Sequence, residues 1–164
     1  MPGKKSSFPD SGLGASIMKL VKKSDHRVLA VWAADCASRV LPLFEKKCPD
    51  DGRPREAIEG ARLWARTGIF HMASVRGTAL ASHAAARRIG GNEAACFAAR
   101  SAGHAIATAH VGTHSIACAW YAAKAVWAAD PENARKKVAG ERQWQYKHLV
   151  GLEAARKRKI AKKG

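Results

Sequence analysis

From Asn92 to Ala129 the chain reads NEAACFAARSAGHAIATAHVGTHSIACAWYAAKAVWAA, with no Asp, Glu, Lys or Arg between Arg100 and Lys124. A run so poor in charge belongs in the middle of a fold. Alanine loses no side-chain entropy on entering a helix, so the run points to helix packed on helix. One continuous helix over it would be about 57 Å long. A globule of this size is only about 40 Å across. The run is therefore expected to break, and Val111-Gly112-Thr113 is the best place, with Gly ending one helix and Thr capping the next. It also holds three of the seven histidines, His104, His110 and His114. In apolar surroundings these must be hydrogen-bonded, bind something or line a cleft.

The other segments have helical spacing too. Ala15 to Lys23 carries Ile17, Leu20 and Val21 and suits a short docking turn. Ser24 is placed to cap a helix beginning at Asp25, whose face is Leu29, Trp32, Cys36, Val40, Leu43 and Phe44. Pro42 falls inside that pattern and predicts a kink. A second helix starts at Arg53-Pro54 and stops near Thr67-Gly68; a third spans about Ala73 to Ile89 and ends at Gly90-Gly91. Asp130-Pro131-Glu132 opens a last helix, which Gly140 is expected to interrupt. The expectation is an all-α bundle of about six helices joined by short turns, with no sheet.

The charge is uneven. The 164 residues carry +16, but residues 1–23 hold five Lys and one Asp, and residues 151–164 hold six Lys or Arg and one Glu. This divides the chain into a basic, largely flexible extension (1–23), a single helical domain (24–150) and a basic tail (151–164). Basic ends suit non-specific contact with polyanions. No recognition motif accompanies the charge. The four cysteines, Cys36, Cys48, Cys96 and Cys118, form no CxxC pair and suit a reducing cytoplasm. No signal peptide and no membrane-length apolar run occurs. A cytoplasmic protein is expected.

No phosphate loop, nucleophile elbow or Ser/His/Asp signature occurs, and neither a catalytic residue nor a cofactor is expected. Were the central helix continuous, His110, His114 and Cys118 would share a face with Tyr121 nearby, a spacing usable for zinc. The break would destroy that geometry. Asp35 lies three residues after Trp32 and four before Arg39, so it either forms a surface ion pair or turns inward to a histidine of the central run. Beside Cys36 it would raise the thiol pKa, which argues against a reactive thiolate. His83, in the Ala-rich third helix, either packs or lines a cleft. In ERQWQYKHL (Glu141 to Leu149), Trp144 and Tyr146 cannot both lie on one narrow stripe, so one sits at an edge or interface. Aromatic residues with Arg nearby are typical binding anchors. The candidate ligand- or partner-binding residues are thus Trp32, Asp35, Arg53, His83, His104, His110, His114, Tyr121, Glu141, Arg142 and Trp144.

Several blocks carry a resemblance: LAVWAADCASRVLPLFE, RPREAIEGARLWA, SHAAAR, AGHAIATAHVGTHSIACAWYAAKAV and ERQWQYKHL, in this order over roughly residues 24 to 150. Together they resemble the putative immunity protein family of bacterial polymorphic-toxin systems, whose members are small helical proteins. The family pattern has Glu-His where this chain has Ser38-Arg39. The resemblance implies a protein that binds and neutralises a toxin, and the lack of a catalytic signature makes a non-enzymatic one the expectation. Two other readings stay open from the residues: a small-ligand or metal-binding protein, with or without enzymatic activity, using a His/Asp-lined cleft, and a nucleic-acid-associated protein acting through its basic ends.

Overall fold

The computed structural model describes Phe8 and residues 12–164. Among these, seven helices and no strand are found: α1 (Gly14–Val21), α2 (His26–Glu45), α3 (Arg53–Thr67), α4 (Met72–Arg88), α5 (Glu93–Ala107), α6 (His114–Ala129) and α7 (Ala134–Ala161). The all-helical bundle is as expected, with one helix more than the spacing suggested. The extra one is α1, eight residues long, anchored by buried Ile17 and Val21. Most of the extension expected over residues 1–23 upstream of it lies outside the described residues.

Alanine sets the architecture. Helix α5 lies in the middle, against α2, α3, α4 and α6. Ala95, Ala98, Ala99, Ala102 and Ala105 on it are wholly buried, and so are Ala33, Ala34 and Ala37 of α2 and Ala119, Ala122 and Ala123 of α6. Small side chains let the backbones approach closely enough to fill space at crystalline density. Few large residues are needed; Trp32, Phe44 and Leu149 are the chief ones. The break in the central run is real and takes in Val111-Gly112-Thr113, but it begins earlier, at Thr108. Helix α5 ends at Ala107, and the Thr108 hydroxyl donates back to the His104 carbonyl (3.0 Å). His26 Nε2–H then donates to the Thr108 carbonyl (2.6 Å), which ties the corner to the start of α2. Thr113 makes no side-chain cap; the Ser115 hydroxyl holds the Gly112 carbonyl instead (2.7 Å).

The start of α2 and the course of α7 also differ from the sequence expectation. Asp25, not Ser24, caps α2: its Oδ1 accepts from the Arg27 and Val28 amides (3.0 and 3.3 Å). A carboxylate suits the positive end of the helix dipole better than a hydroxyl. Ser24 instead closes α1, donating to the Leu20 carbonyl (2.8 Å). Helix α2 continues past Pro42 with Phe44 still buried, in keeping with the apolar face read through Phe44. Helix α7 begins four residues after Asp130, whose carboxylate takes the Asn133 amide and the Lys137 ammonium (3.3 and 2.6 Å). It is not interrupted at Gly140 and runs on through Gly151 to Ala161, about 42 Å. A helical glycine costs about 1 kcal/mol relative to alanine. Buried Val138, Glu141, Arg142, Gln145, Leu149 and Glu153 on either side outweigh that. No helix among the described residues is long and apolar enough to cross a membrane.

Candidate functional site

The candidate residues separate into two clusters and two outliers. The first cluster joins α4, α5 and α6. His83 comes from α4, His104 from the last turn of α5 and His114 from the first position of α6. The Nδ1 atoms of His104 and His114 are 3.4 Å apart, so one ring donates to the other. Tyr121 stacks on His104 (5.4 Å between centroids, 10° between planes), and His83 meets His104 edge-on (5.0 Å, 70°). The close approach of His83 depends on Gly103: a Cβ there would stand 2.8 Å from the imidazole Cε1. His83 Nδ1 is buried without a hydrogen-bond partner.

Burial is the main force on these imidazoles. It lowers the pKa of His104 to about 4, helped by the neighbouring His83 and His114. His83 is lowered by burial and then by Arg100 and Arg87, and His114 by burial and then by His110. At neutral pH the cluster is three uncharged rings with no carboxylate among them.

The second cluster joins α2 and α7. Asp35 does accept from a histidine, but not one in the central run. Its Oδ2 takes His148 Nε2–H (2.7 Å), and its Oδ1 takes Arg62 Nη1 (2.7 Å). The expected Asp35–Arg39 pairing is replaced by Arg39 with Glu141, at 2.9 Å. Buried Glu141 also accepts from Gln145 Nε2 (3.1 Å), which reaches the Ala119 carbonyl of α6 too (3.0 Å). Arg142 Nη1 donates to Gln145 Oε1 (2.9 Å), and Trp32 donates its indole N–H to the Gln145 carbonyl (2.8 Å). Above this lock, Trp144 is half-buried, stacked on His148 (4.7 Å) with the Arg39 guanidinium over its ring (4.0 Å). Ser38 and Arg39 both have structural partners here, Ser38 accepting from Arg62 Nη2 (3.0 Å).

The outliers are Arg53 and His110. Arg53 forms a two-point pair with Asp51 (2.8 and 2.6 Å), which holds the Asp51 carboxyl below its usual pKa. His110 is exposed and stacks on Phe70 (6.1 Å). The zinc alternative of His110, His114 and Cys118 is not assembled. Cys118 is fully buried, donates to the Ala33 carbonyl (3.1 Å), and burial pushes its thiol up to about 12. No group of three or more His, Cys, Asp or Glu suited to a metal is found among the described residues. Cys36 is raised well above the ordinary thiol range, chiefly by burial, with Asp35 a smaller cause in the expected direction.

A third feature was missed from sequence. Around the α3–α4 turn Leu63, Ile69, Phe70 and Met72 are exposed (52, 65, 36 and 47 %), as is Val111 beside His110 (40 %). Leu63, Trp64, Ile69, Val75 and Ile106 line a cleft of about 250 Å³ there. Gly60 lets α3 close on its floor, since a Cβ would sit 3.0 Å from Ile106 Cδ1. The signal was available: Ile69-Phe70-His71-Met72 follows the left-handed Gly68 directly, and a turn that apolar is unusual.

No curated protein and no solved structure matches the chain significantly. One family model does match, described as Imm-5 like putative immunity protein, over residues 19–152. With most of its length covered by that model, the chain belongs to the Imm-5 like putative immunity protein family.

Proposed function

We propose that the protein binds and neutralises a cognate toxin without catalysis, and that the apolar corner between α3 and α4 is the face that meets it. The observation that carries the reading is the exposure of Leu63, Ile69, Phe70 and Met72 around the α3–α4 turn, with Phe70 stacked on His110 beside the exposed Val111. Contiguous exposed apolar surface rimmed by polar residues is characteristic of protein interaction sites. A core of such side chains, once dehydrated, supplies most of an interface's affinity. Family membership supplies the class of partner. The charge of +16 points the same way by elimination. An inhibitor that imitates nucleic acid needs an acidic surface, so apolar docking is the better account of this chain.

Co-expression with toxins encoded beside it tests the reading. The wild-type protein should restore growth against one of them and co-purify with it as a stable complex. The pair Ile69→Asp and Phe70→Asp should abolish both effects and leave the melting temperature unchanged, because both side chains are exposed. Protection from none of the toxins, with no complex, would overturn the proposal. Full protection by the double variant would remove the toxin from this corner.

A further inference from the structure

The α1–α2 turn and the last turns of α7, far apart in the sequence, meet at one end of the bundle. The Asp25 amide donates to Glu153 Oε1 (2.7 Å) across 128 residues. Arg156 reaches Asp25 Oδ2 (3.3 Å) and Glu153 Oε2 (3.7 Å). This places the α1–α2 turn, with exposed Lys22 and Lys23, against the last turns of α7. Between α2 and α7 lies a cleft of about 620 Å³ whose cationic wall is Arg27, Arg156, Lys159 and Lys163. The one acid that lines it, Asp25, is already engaged as the α2 cap and by Arg156, and the neighbouring Glu153 takes the Asp25 amide. Among the described residues no acid pairs with Arg27, Lys157, Arg158, Lys159, Lys162 or Lys163. Every residue from Lys157 onward is exposed.

We propose that this end of the molecule is a nucleic-acid site that grips the phosphate backbone of a duplex without reading its sequence. The activity is separate from toxin neutralisation and does not rest on it. The match to the family ends at residue 152, so the cationic turns lie outside the segment that defines the family. Three observations select the ligand. Lys157, Arg158 and Lys159 stand at successive positions about 100° apart around α7, and Lys162 and Lys163 follow its end, which suits a ligand with charge on several faces better than the single face of an acidic helix. Apolar Ile160 stands alone among them, so the turns have no apolar face to enter a lipid surface. No aromatic ring lines the cleft, so there is no platform for unstacked bases, and single strands lose their usual anchor. A duplex major groove is about 12 Å wide and admits a helix, and phosphate contacts need only cations at the right spacing.

The test uses the full chain and a labelled mixed-sequence DNA duplex of about 20 base pairs, titrated by anisotropy from about 50 to about 200 mM salt. Engagement of about five phosphates gives a slope of log K against log salt of about −4 to −5, a loss of several hundredfold over that range. Replacing Lys157, Arg158, Lys159, Lys162 and Lys163 by Gln should flatten the slope by about 4. Replacing five exposed cations elsewhere (Arg66, Arg76, Arg135, Lys136 and Lys147) should change it by about 1 or less. If the first variant melts early, deletion of residues 157–164 takes its place. Equal flattening by both sets would mean that charge binds wherever it lies, and would overturn the site. So would the absence of binding at low salt. Displacement by polyglutamate in preference to duplex at matched charge would replace nucleic acid with an acidic polypeptide as the ligand.

Discussion

Single side chains here are governed by burial before charge, and the histidine cluster makes that measurable. His104 has its pKa lowered from 6.5 to about 4 in the folded protein, and His83 and His114 move in the same direction. The native state therefore binds fewer protons than the unfolded chain once the pH drops below the ordinary histidine value. Stability is fully present above pH 6.5 and is lost as pH falls from there toward about 4. The melting temperature should fall by roughly 5 °C or more across that window. Carboxylates also begin to protonate near its lower end, so the His104→Gln variant is the necessary comparison. An amide keeps a polar group beside His114 and cannot take a proton, so the variant should lose visibly less stability over the window. Identical pH profiles for the two proteins would show that the cluster does not govern acid sensitivity. Gly103 belongs to the same account, because the uncharged ring of His83 occupies the space that a Cβ would need.

At the scale of elements, α7 shows why some of the fold was legible and some was not. Helices α2, α3, α4 and the α5–α6 pair follow from apolar spacing, and their alanine faces are the buried ones. The buried side of α7 includes Glu141, Arg142, Gln145 and Glu153, so a search for apolar periodicity finds no stripe to follow there. Its two glycines then suggest stops that the tertiary contacts override. The Asp35–His148 pair was hidden for a related reason. Its partners are 113 residues apart, and spacing reveals only neighbours on one helix. The apolar corner was legible but conspicuous only once Ile69 and Phe70 were known to be exposed. The polar lock on α7 carries a prediction. Gln145→Ala removes bonds to Ala119 and Glu141 and leaves those buried groups short of a partner. Leaving buried polar groups unpaired costs about 1–3 kcal/mol each, so urea denaturation should show a loss of about 2–4 kcal/mol. His148→Gln, which removes only a half-exposed pair, should cost about 1 kcal/mol or less. The reverse order would mean that α7 is held from its surface rather than from its buried network.

For the whole molecule the open structural matter is how far the cooperative unit extends along the chain. Glu153 and Arg156 bind the α1–α2 turn, and Leu149 is fully buried, so the unit includes α7 at least to Arg156. Beyond it the helix has exposed side chains only, and Ile160, 57 % exposed, contributes little burial. About one and a half unsupported turns, from Lys157 to Ala161, are marginal in water because a helix gains most of its stability from packing. They persist here as a continuation of a helix nucleated elsewhere. Deleting residues 157–164 should therefore remove five cations and almost no core. A loss of about 1 kcal/mol moves the midpoint of a domain this size by roughly 2–4 °C, and the truncated chain should melt within about 2 °C of the full one. Far-UV circular dichroism should lose only the signal of those terminal turns, and protection against the toxin should be retained. A fall well beyond 4 °C, with broadening of the transition, would place the cationic turns inside the folding unit. Retained melting with lost duplex affinity would instead establish that one end of α7 works as an appendage, charged for a ligand that the rest of the bundle does not need.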